Sequence, residues 1–159
     1  MNASINIKID SIRKDVRTPE LLDELLGIWE ASVRASHHFL TEDDIRDLYP
    51  QAEEAIRQIE TLWVAGHDNV RIGFMGIQSD KIEMLFLHPG YFRKGAGRIL
   101  IQKAFSKLGV QYVDVNEQNP TAVKFYERMG FRAFRRDSAD DQGNPFPILR
   151  MKRLFELPI

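Results

Sequence analysis

The sequence predicts one α+β domain with a mixed, mostly antiparallel central sheet flanked by helices. The chain has 159 residues and a mass of 18.4 kDa, the size of one ordinary domain, and 43% of its residues are hydrophobic. Apolar residues recur at helical spacing in its first third, and period-two strands joined by short turns follow in its middle. We therefore treat residues 1–159 as a single domain.

A strand and two helical segments are predicted in the first third of the chain. Isoleucines alternate with polar residues over residues 5–10, which indicates a half-buried strand. Thr18 followed by Pro19 is typical of a helix start, and apolar residues at helical spacing extend this helix to about residue 36. Thr41 and the acidic residues after it resemble a second helix start, so the next stretch should be mostly helical.

The rest of the chain alternates strands with two further helices. Gly95 and Gly97 open a predicted helix that runs to about residue 108. Asn119 fits the cap of the next helix, Pro120 its first position and Gly130 its end. Apolar runs bounded by turn signals predict six strands, at residues 62–65, 70–77, 82–87, 112–115, 131–136 and 147–154.

Charge and composition exclude several classes of function. The chain carries 22 Lys and Arg against 23 Asp and Glu, so no global basic field favours nucleic acid or anionic lipid. It has no cysteine, which excludes disulfides, thiolate nucleophiles and zinc–thiolate sites. Its apolar runs fall far short of the roughly 20 residues of a membrane span, and residues 1–10 do not resemble a secretory signal. We expect a cytoplasmic protein that binds neither membrane nor nucleic acid.

A glycine loop with strong local positive charge precedes one predicted helix. Residues 91–110 contain five Lys or Arg and no Asp or Glu. A helix start offers free backbone N–H groups and a positive dipole end, which suits a phosphate or pyrophosphate. A tight turn beside a solvated helix face explains the same residues. The loop matches neither the P-loop nor the dinucleotide fingerprint, so a nucleoside triphosphate is disfavoured.

Three motifs in succession carry a family resemblance. They are L-F-L-H-P from Leu85, the glycine loop, and N-x-x-A-x-x-F-Y-x-x-x-G-F from Asn119 to Phe131. In this order they resemble the GNAT superfamily of acetyl-CoA-dependent acetyltransferases over about residues 82–131. Segments 36–40, 115–119 and 140–147 look like the YjaB-type branch of its bacterial members. The resemblance implies a GNAT-like fold and direct transfer of acetyl from acetyl-CoA to a primary amine, by a monomer or homodimer.

The resemblance also implies where acetyl-CoA binds. The strand before the glycine loop would offer free backbone groups to the pantetheine arm and the acyl carbonyl, and the loop would cradle the pyrophosphate with its N–H groups. The implied cofactor residues are Leu85, Phe86, Leu87, Arg93, Lys94, Gly95, Ala96, Gly97, Arg98, Asn119, Phe125 and Tyr126. The family has Arg or Gln where this chain has Phe92, so the usual side-chain contact is absent and Arg93 could substitute for it.

Tyr126 is the candidate proton donor. It falls where the family commonly places a hydroxyl near the thioester sulfur, and the leaving thiolate needs a proton. In the helix predicted after Asn119, helical spacing places Ala122, Phe125 and Met129 on the face toward the core and leaves Tyr126 partly outside that face. A core tyrosine without a catalytic role is the alternative.

The general base is not fixed by the sequence. An amine with a pKa of ~10 is almost wholly protonated at pH 7, so it must lose a proton before or during attack. Glu83 shares strand parity with Leu85 and Leu87 and could face the acceptor, or it could be a solvent-facing carboxylate. His37, with His38 beside it, ends the first helix and could accept a proton or line the acceptor pocket; a capping or buried structural histidine is the alternative.

No metal site is expected. The four histidines are not at the spacings typical of metal ligands, and His88 before Pro89 favours a structural role. Asp140 and Asp141 with Gly143 indicate a turn rather than a calcium loop.

The acceptor is left open as a small-molecule or peptide amine. Lysine side chains, protein N-termini, polyamines and small amino compounds all fit. Residues 18–60 carry eleven Asp or Glu and three Arg, and such a negative surface favours a cationic amine, although a solvated helix face explains most of these charges. A non-catalytic CoA-binding module on the same scaffold is the alternative function.

Overall fold

Residues 5–154, which the structure describes, form seven strands and four α-helices around one sheet. The structure is a computed structural model. The elements in chain order are β1 (Lys8–Ser11), α1 (Pro19–Ser36), α2 (Glu42–Gln58), β2 (Thr61–His67), β3 (Val70–Gln78), β4 (Lys81–Leu87), α3 (Ala96–Leu108), β5 (Tyr112–Asn116), α4 (Pro120–Arg128), β6 (Phe131–Asp137) and β7 (Ile148–Arg153). The predicted fold class and element order are confirmed, although the first strand begins three residues later than expected. No helix in residues 5–154 combines the length and apolar character that a membrane crossing requires.

The predicted helix starts are confirmed in detail. The Thr18 hydroxyl accepts a hydrogen bond from the Leu21 N–H at 3.2 Å. Thr41 begins α2 with a reciprocal capping box, and the Asn119 side chain accepts from the Ala122 N–H at 3.2 Å. Each cap satisfies a backbone donor that a helix start otherwise leaves free, which fixes where the helix begins.

The sheet has the order β1-β2-β3-β4-β5-β7-β6 and is covered on both faces. Alternation along β2 separates the layers, because Trp63 and Ala65 pack with α3 and α4, whereas Leu62 and Val64 pack with α1 and α2. The two hydrophobic cores therefore lie on opposite faces of one sheet.

Arg17 fixes the end of α2. Its guanidinium is buried and donates to the carbonyl oxygens of Ile56, Arg57 and Ile59 at 2.7–3.0 Å. These carbonyls belong to the last turn of the helix, which leaves such groups without intrahelical partners. Arg17 therefore anchors the helix that forms one wall of the site described below.

The sheet opens between β4 and β5. In the described sheet these parallel strands pair only at Lys81 with Tyr112 and at Ile82 with Val113. Beyond this point β4 continues beside β3, and β5 continues beside β7, with which it pairs along its whole length. The His88 N–H bonds back to the Ile72 carbonyl on β3 at 2.7 Å. Because successive N–H groups of a strand point to opposite sides, the Leu87 N–H points into the opening.

A β-bulge at Glu83 interrupts the simple alternation of β4. Ile77 pairs with Ile82 and Gly76 pairs with Met84, so Glu83 is an extra residue without a partner on β3. As a result Ile82 lies on the same face as Leu85, so counting every second residue back from Leu87 and Leu85 does not by itself assign a face to Glu83. The bulge turns the Glu83 side chain toward the opening between β4 and β5.

Candidate active site

Two adjoining cavities meet at this opening. The helix-side cavity, about 430 Å³, lies between α1, α2 and the sheet and is also lined by the β6–β7 loop. The strand-side cavity, about 250 Å³, lies between β4 and β5 and reaches α4. The shared lining includes His37, Glu83 and Phe86. One continuous cleft therefore crosses the sheet, with Glu83 and His37 at the junction of its two halves.

The helix-side cavity has an apolar and aromatic wall with negative charge at its inner end. The rings of His37 and Phe39 lie 5.5 Å apart, and those of Phe39 and Phe146 lie 5.6 Å apart. None of the described residues that line it is Lys or Arg, and its charged members are Glu83 and Asp140. This arrangement suits a cationic amine on an apolar stem.

The glycine loop presents a row of free donors beside the strand-side cavity. Among residues 5–154, no acceptor meets the backbone N–H groups of residues 93–98. Arg93 and Gly95 have φ values of 60° and 88°, in the left-handed region, and Gly95 is the residue before α3. Gly97 lies against Phe125 of α4 and Leu87 of β4, so the loop sits at the end of the opening. Free N–H groups at a helix start form a cradle for a pyrophosphate, and Arg93, Lys94 and Arg98 are exposed around it.

Tyr126 is buried, contrary to the expected position partly off the core. It is 6% exposed and packs edge-on against Phe125 and Phe131, with ring centroids 5.2 and 5.9 Å away. Helical spacing alone missed this because Phe131, at the start of β6, packs over the same face of α4. Tyr126 also lines the strand-side cavity with Asn119. Burial raises the pKa of Tyr126, so near neutral pH the phenol is a proton donor only.

His37 is partly buried at the end of α1 and neutral near pH 7. The Ser36 hydroxyl donates its single proton to the Ser32 carbonyl at 2.7 Å, so it must accept from His37 Nδ1 at 2.8 Å. Burial, with a smaller effect from His38, lowers the pKa of His37 to about 4. Its Nε2 therefore carries a lone pair.

The other two candidate histidines lie outside the cleft. His38 is absent from the described lining of either cavity. His88 Nδ1 accepts a hydrogen bond from the Gly90 N–H at 3.1 Å, which caps a short 3₁₀ turn. The predicted structural role of His88 is confirmed.

Glu83 is an exposed residue at the junction of the two cavities, and its pKa is raised. Partial burial of its side chain raises its pKa, Asp114 and Asp141 raise it further, and Lys81, with Nζ 3.6 Å from Oε1, opposes them. A carboxylate shifted toward neutrality in a cleft is typical of a general base.

Sequence reasoning missed the charged residues beneath Glu83. Carboxylate oxygens of Glu83, Asp114 and Asp141 lie within 4.8 Å of one another, and Lys81 and Arg150 contact them. Lys81 and Arg150 already form salt bridges with Asp114, and Arg150 forms one with Asp141, so the group is a salt-bridge network formed by the chain itself. The sequence held one indication of this network, because Asp114 stands between the two valines of β5 and Arg150 stands between Leu149 and Met151 of β7. Their partners could not be identified, because they lie on different elements.

Comparison with known proteins agrees with this geometry. Residues 35–154 match the model of the family described as the acetyltransferase (GNAT) domain. The chain is 36% identical over 137 residues to the peptidyl-lysine N-acetyltransferase YjaB of Escherichia coli K12, covering 81% of this chain and 88% of that protein.

Solved structures show the same fold. The solution structure of apo-form YjaB from Escherichia coli superposes with a TM-score of 0.83 at 32% identity, covering 94% of this chain and 99% of that one. The PaiA N-acetyltransferase of Thermoplasma acidophilum, crystallised in complex with coenzyme A, has a TM-score of 0.67 at 22% identity, covering 93% and 99%. The chain therefore belongs to the GNAT family and is an N-acetyltransferase that moves an acetyl group from acetyl-CoA to an amine.

Proposed function

We propose that the acceptor is the ε-amine of a lysine in a polypeptide, and that residues 1–159 act on it as a single acetyltransferase domain. The continuous cleft carries this proposal: its helix-side half is apolar and aromatic, has no Lys or Arg among its described lining residues, and ends at Glu83, at the opening between β4 and β5. A lysine side chain has the matching form, an apolar stem with a positive end. The curated relative YjaB, described as a peptidyl-lysine N-acetyltransferase, supports the same substrate class.

Acetyl-CoA fits the opposite half of the cleft. The free N–H groups of residues 93–98 would hold the pyrophosphate, and the pantetheine arm would lie along Leu85, Phe86 and Leu87, where β5 no longer pairs with β4. The Asn119 side chain uses its oxygen to cap α4, which leaves its amide group to donate to the arm. Phe125 packs beside the loop at Gly97.

Four groups of the chain then carry the transfer. Glu83 takes a proton from the lysine ammonium, directly or through water, and His37 Nε2 accepts a hydrogen bond from the amine. The amine nitrogen bonds to the acetyl carbonyl carbon and loses its second proton to solvent. The Leu87 N–H faces the carbonyl oxygen while that oxygen gains negative charge. As the carbon–sulfur bond breaks, Tyr126 gives its proton to the thiolate and regains one from solvent, leaving an amide and a free thiol.

The test is transfer to a lysine-containing peptide with a blocked N-terminus, read by mass spectrometry beside spermidine and a peptide with only a free N-terminus. We expect acetylation at lysine, and Glu83→Gln should lower kcat/KM by about 10²-fold or more. Acetylation of spermidine or of the N-terminus with the lysine peptide unmodified would overturn the proposed acceptor. Unchanged turnover in Glu83→Gln would overturn the proposed base.

A further inference from the structure

A network of partly buried charges lies beneath Glu83, and the proposed chemistry does not use it. The Arg150 side chain on β7 is only 15% exposed and donates to Asp114 on β5 and, at 2.9 Å, to Asp141 on the β6–β7 loop. Lys81 contacts the same Asp114 and, at 3.6 Å, Glu83. The network thus joins three strands and a loop at the junction of the two cavities.

Glu83 has the weakest cationic contact in this network. Asp137 is held by Arg150 at 2.8 Å and by Arg135 at 3.0 Å, and Asp114 is held by two cations. Glu83 has only the longer contact to Lys81. The charged or titratable groups that contact Glu83 or share its cavities are Lys81 from its own strand, Asp114 from β5, Tyr126 from α4, Arg150 from β7, Asp140 and Asp141 from the loop, and His37 from α1.

We propose that Arg150 and Asp141 are positioning residues for acetyl transfer: Arg150 holds the Asp141 carboxylate beside Glu83, and this neighbouring negative charge makes Glu83 the carboxylate that accepts the proton. The inference rests on the proposed function, in which Glu83 is the base. Two carboxylates within 4.8 Å disfavour each other's ionised form. Arg150 donates hydrogen bonds to Asp114, Asp137 and Asp141 and so stabilises their negative charges, whereas the cationic contact of Glu83 is the longer one to Lys81; the gain in proton affinity therefore falls on Glu83.

The titration behaviour of the two groups agrees with this geometry. The hydrogen bond from Arg150 lowers the pKa of Asp141, whereas burial and then the neighbouring Asp114 and Asp141 raise the pKa of Glu83. A base whose pKa lies nearer the working pH gains driving force for taking the proton from an ammonium.

The position of Asp141 links the base to the wall of the acceptor cavity. Asp141 is 58% exposed and belongs to the β6–β7 loop, which also contributes Asp140, Gln142 and Phe146 to the helix-side cavity. When this loop is docked through Arg150, the acceptor wall and the negative charge beside Glu83 are in place together. The proton affinity of Glu83 therefore depends on the loop that contacts the acceptor.

The test follows the titration midpoint of the Glu83 carboxyl carbon by NMR in the full chain, assigned with Glu83→Gln. Asp141→Asn removes a negative charge and frees Arg150, so the midpoint should move to lower pH by on the order of one unit. Arg150→Gln releases Asp141 from its place beside Glu83, so it should also move the midpoint to lower pH. The acidic limb of kcat/KM should follow in each case. Arg136→Gln, on the Glu117 pair outside the network, should change neither.

A fall of the midpoint in both variants shows that Arg150 acts by positioning Asp141, because loss of the Arg150 charge alone would move the midpoint to higher pH. An unmoved midpoint in Asp141→Asn would overturn the inference, and so would a rise in Arg150→Gln. If Arg150→Gln fails to fold, the exposed Asp141→Asn decides alone. The titration needs no turnover, so the two hypotheses can fail separately. If the midpoint does not move but Glu83→Gln is inactive, only the role of Arg150 and Asp141 is overturned. If Glu83→Gln is fully active, the assignment of Glu83 as the base is overturned.

Discussion

Asn144 on the β6–β7 loop donates a hydrogen bond from Nδ2 to Gln51 Oε1 on α2, 3.1 Å away. The same amide also donates to Asp140 Oδ2 at 2.8 Å, so one side chain ties the turn to itself and to the helix. Gln51 and Asp140 both line the helix-side cavity. The pair therefore closes the acceptor half of the cleft on the side opposite the sheet.

The first prediction tests this closure with Gln51→Met, which keeps the size of the side chain and removes the acceptor. A hydrogen bond of this kind contributes about 1 kcal/mol, so we expect the KM for a lysine peptide to rise about fivefold with little change in kcat. The matched control is Gln58→Met, because Gln58 lies on the same helix and lines the same cavity but, within residues 5–154, makes no side-chain hydrogen bond to the loop. Equal KM values in the two variants would show that the loop needs no tie to α2.

The second prediction concerns Tyr126→Phe. The phenylalanine keeps the packing against Phe125 and Phe131, so stability should change by less than about 1 kcal/mol, while loss of the proton donor should lower kcat by about 10²-fold. The KM for acetyl-CoA should stay near the wild-type value. Tyr112→Phe, on β5 outside both described linings, serves as the control and should leave kcat unchanged. An unchanged kcat in Tyr126→Phe, with chemistry rate-limiting, would remove this hydroxyl from the mechanism.

The third prediction uses the two ends of α3. A Cβ at Gly97 would lie 3.2 Å from Phe125 Cζ and 3.7 Å from Leu87 Cδ1, so Gly97→Val disturbs packing at the cradle. We expect it to lower both the melting temperature and acetyl-CoA affinity. Gly109 ends the same helix with a φ of 58°, so Gly109→Ala should lower stability by about 1 kcal/mol and leave acetyl-CoA affinity unchanged.

A thermal melt with and without acetyl-CoA measures both effects. At 100 times its Kd the ligand should stabilise the wild type by about 2.7 kcal/mol, and Gly109→Ala should show the same increment from a lower starting point. Gly97→Val should show a smaller increment at that concentration. A full increment in Gly97→Val would mean that this glycine serves the helix packing alone. No increment in the wild type would mean that acetyl-CoA affinity is low, as expected if Phe92 removes the side-chain contact that the family's Arg or Gln makes.

The sequence predicted the fold well because each helix start has a local chemical cause. Thr18, Thr41 and Asn119 cap helices with their own side chains, and a residue pattern of three or four positions is enough to reveal them. The glycine loop was equally visible, since its charges and glycines are contiguous.

The site was only partly predictable because its key features depend on contacts between distant elements. The bulge at Glu83 is set by pairing with β3 and leaves no mark on the local alternation of β4. Burial of Tyr126 comes from Phe131 on the next strand, and the network of Arg150 joins residues up to 69 positions away, at Lys81, through Asp114. Such features are tertiary, and one-dimensional periodicity does not contain them.

The last prediction is a loss of stability in acid caused by His37. Its folded-state pKa is about 4, whereas an unfolded histidine titrates near 6.5, so between these values the unfolded chain binds a proton that the folded chain does not. The contribution of His37 to the free energy of unfolding is therefore complete above about pH 6.5 and falls as the pH drops toward 4. By pH 4.5 the loss should be on the order of 2 kcal/mol.

Urea unfolding at pH 7, 5.5 and 4.5 measures this loss. His37→Gln cannot take up the proton, so its free energy of unfolding should start lower at pH 7 but decline less over the same range. His38→Gln is the matched control, because His38 is the adjacent residue and lines neither described cavity. It removes only the smaller of the two effects on the pKa of His37, so its slope should stay closer to the wild-type slope than that of His37→Gln does. A slope in His37→Gln as steep as that of the wild type would show that other groups cause the acid sensitivity and that His37 is not held neutral by burial.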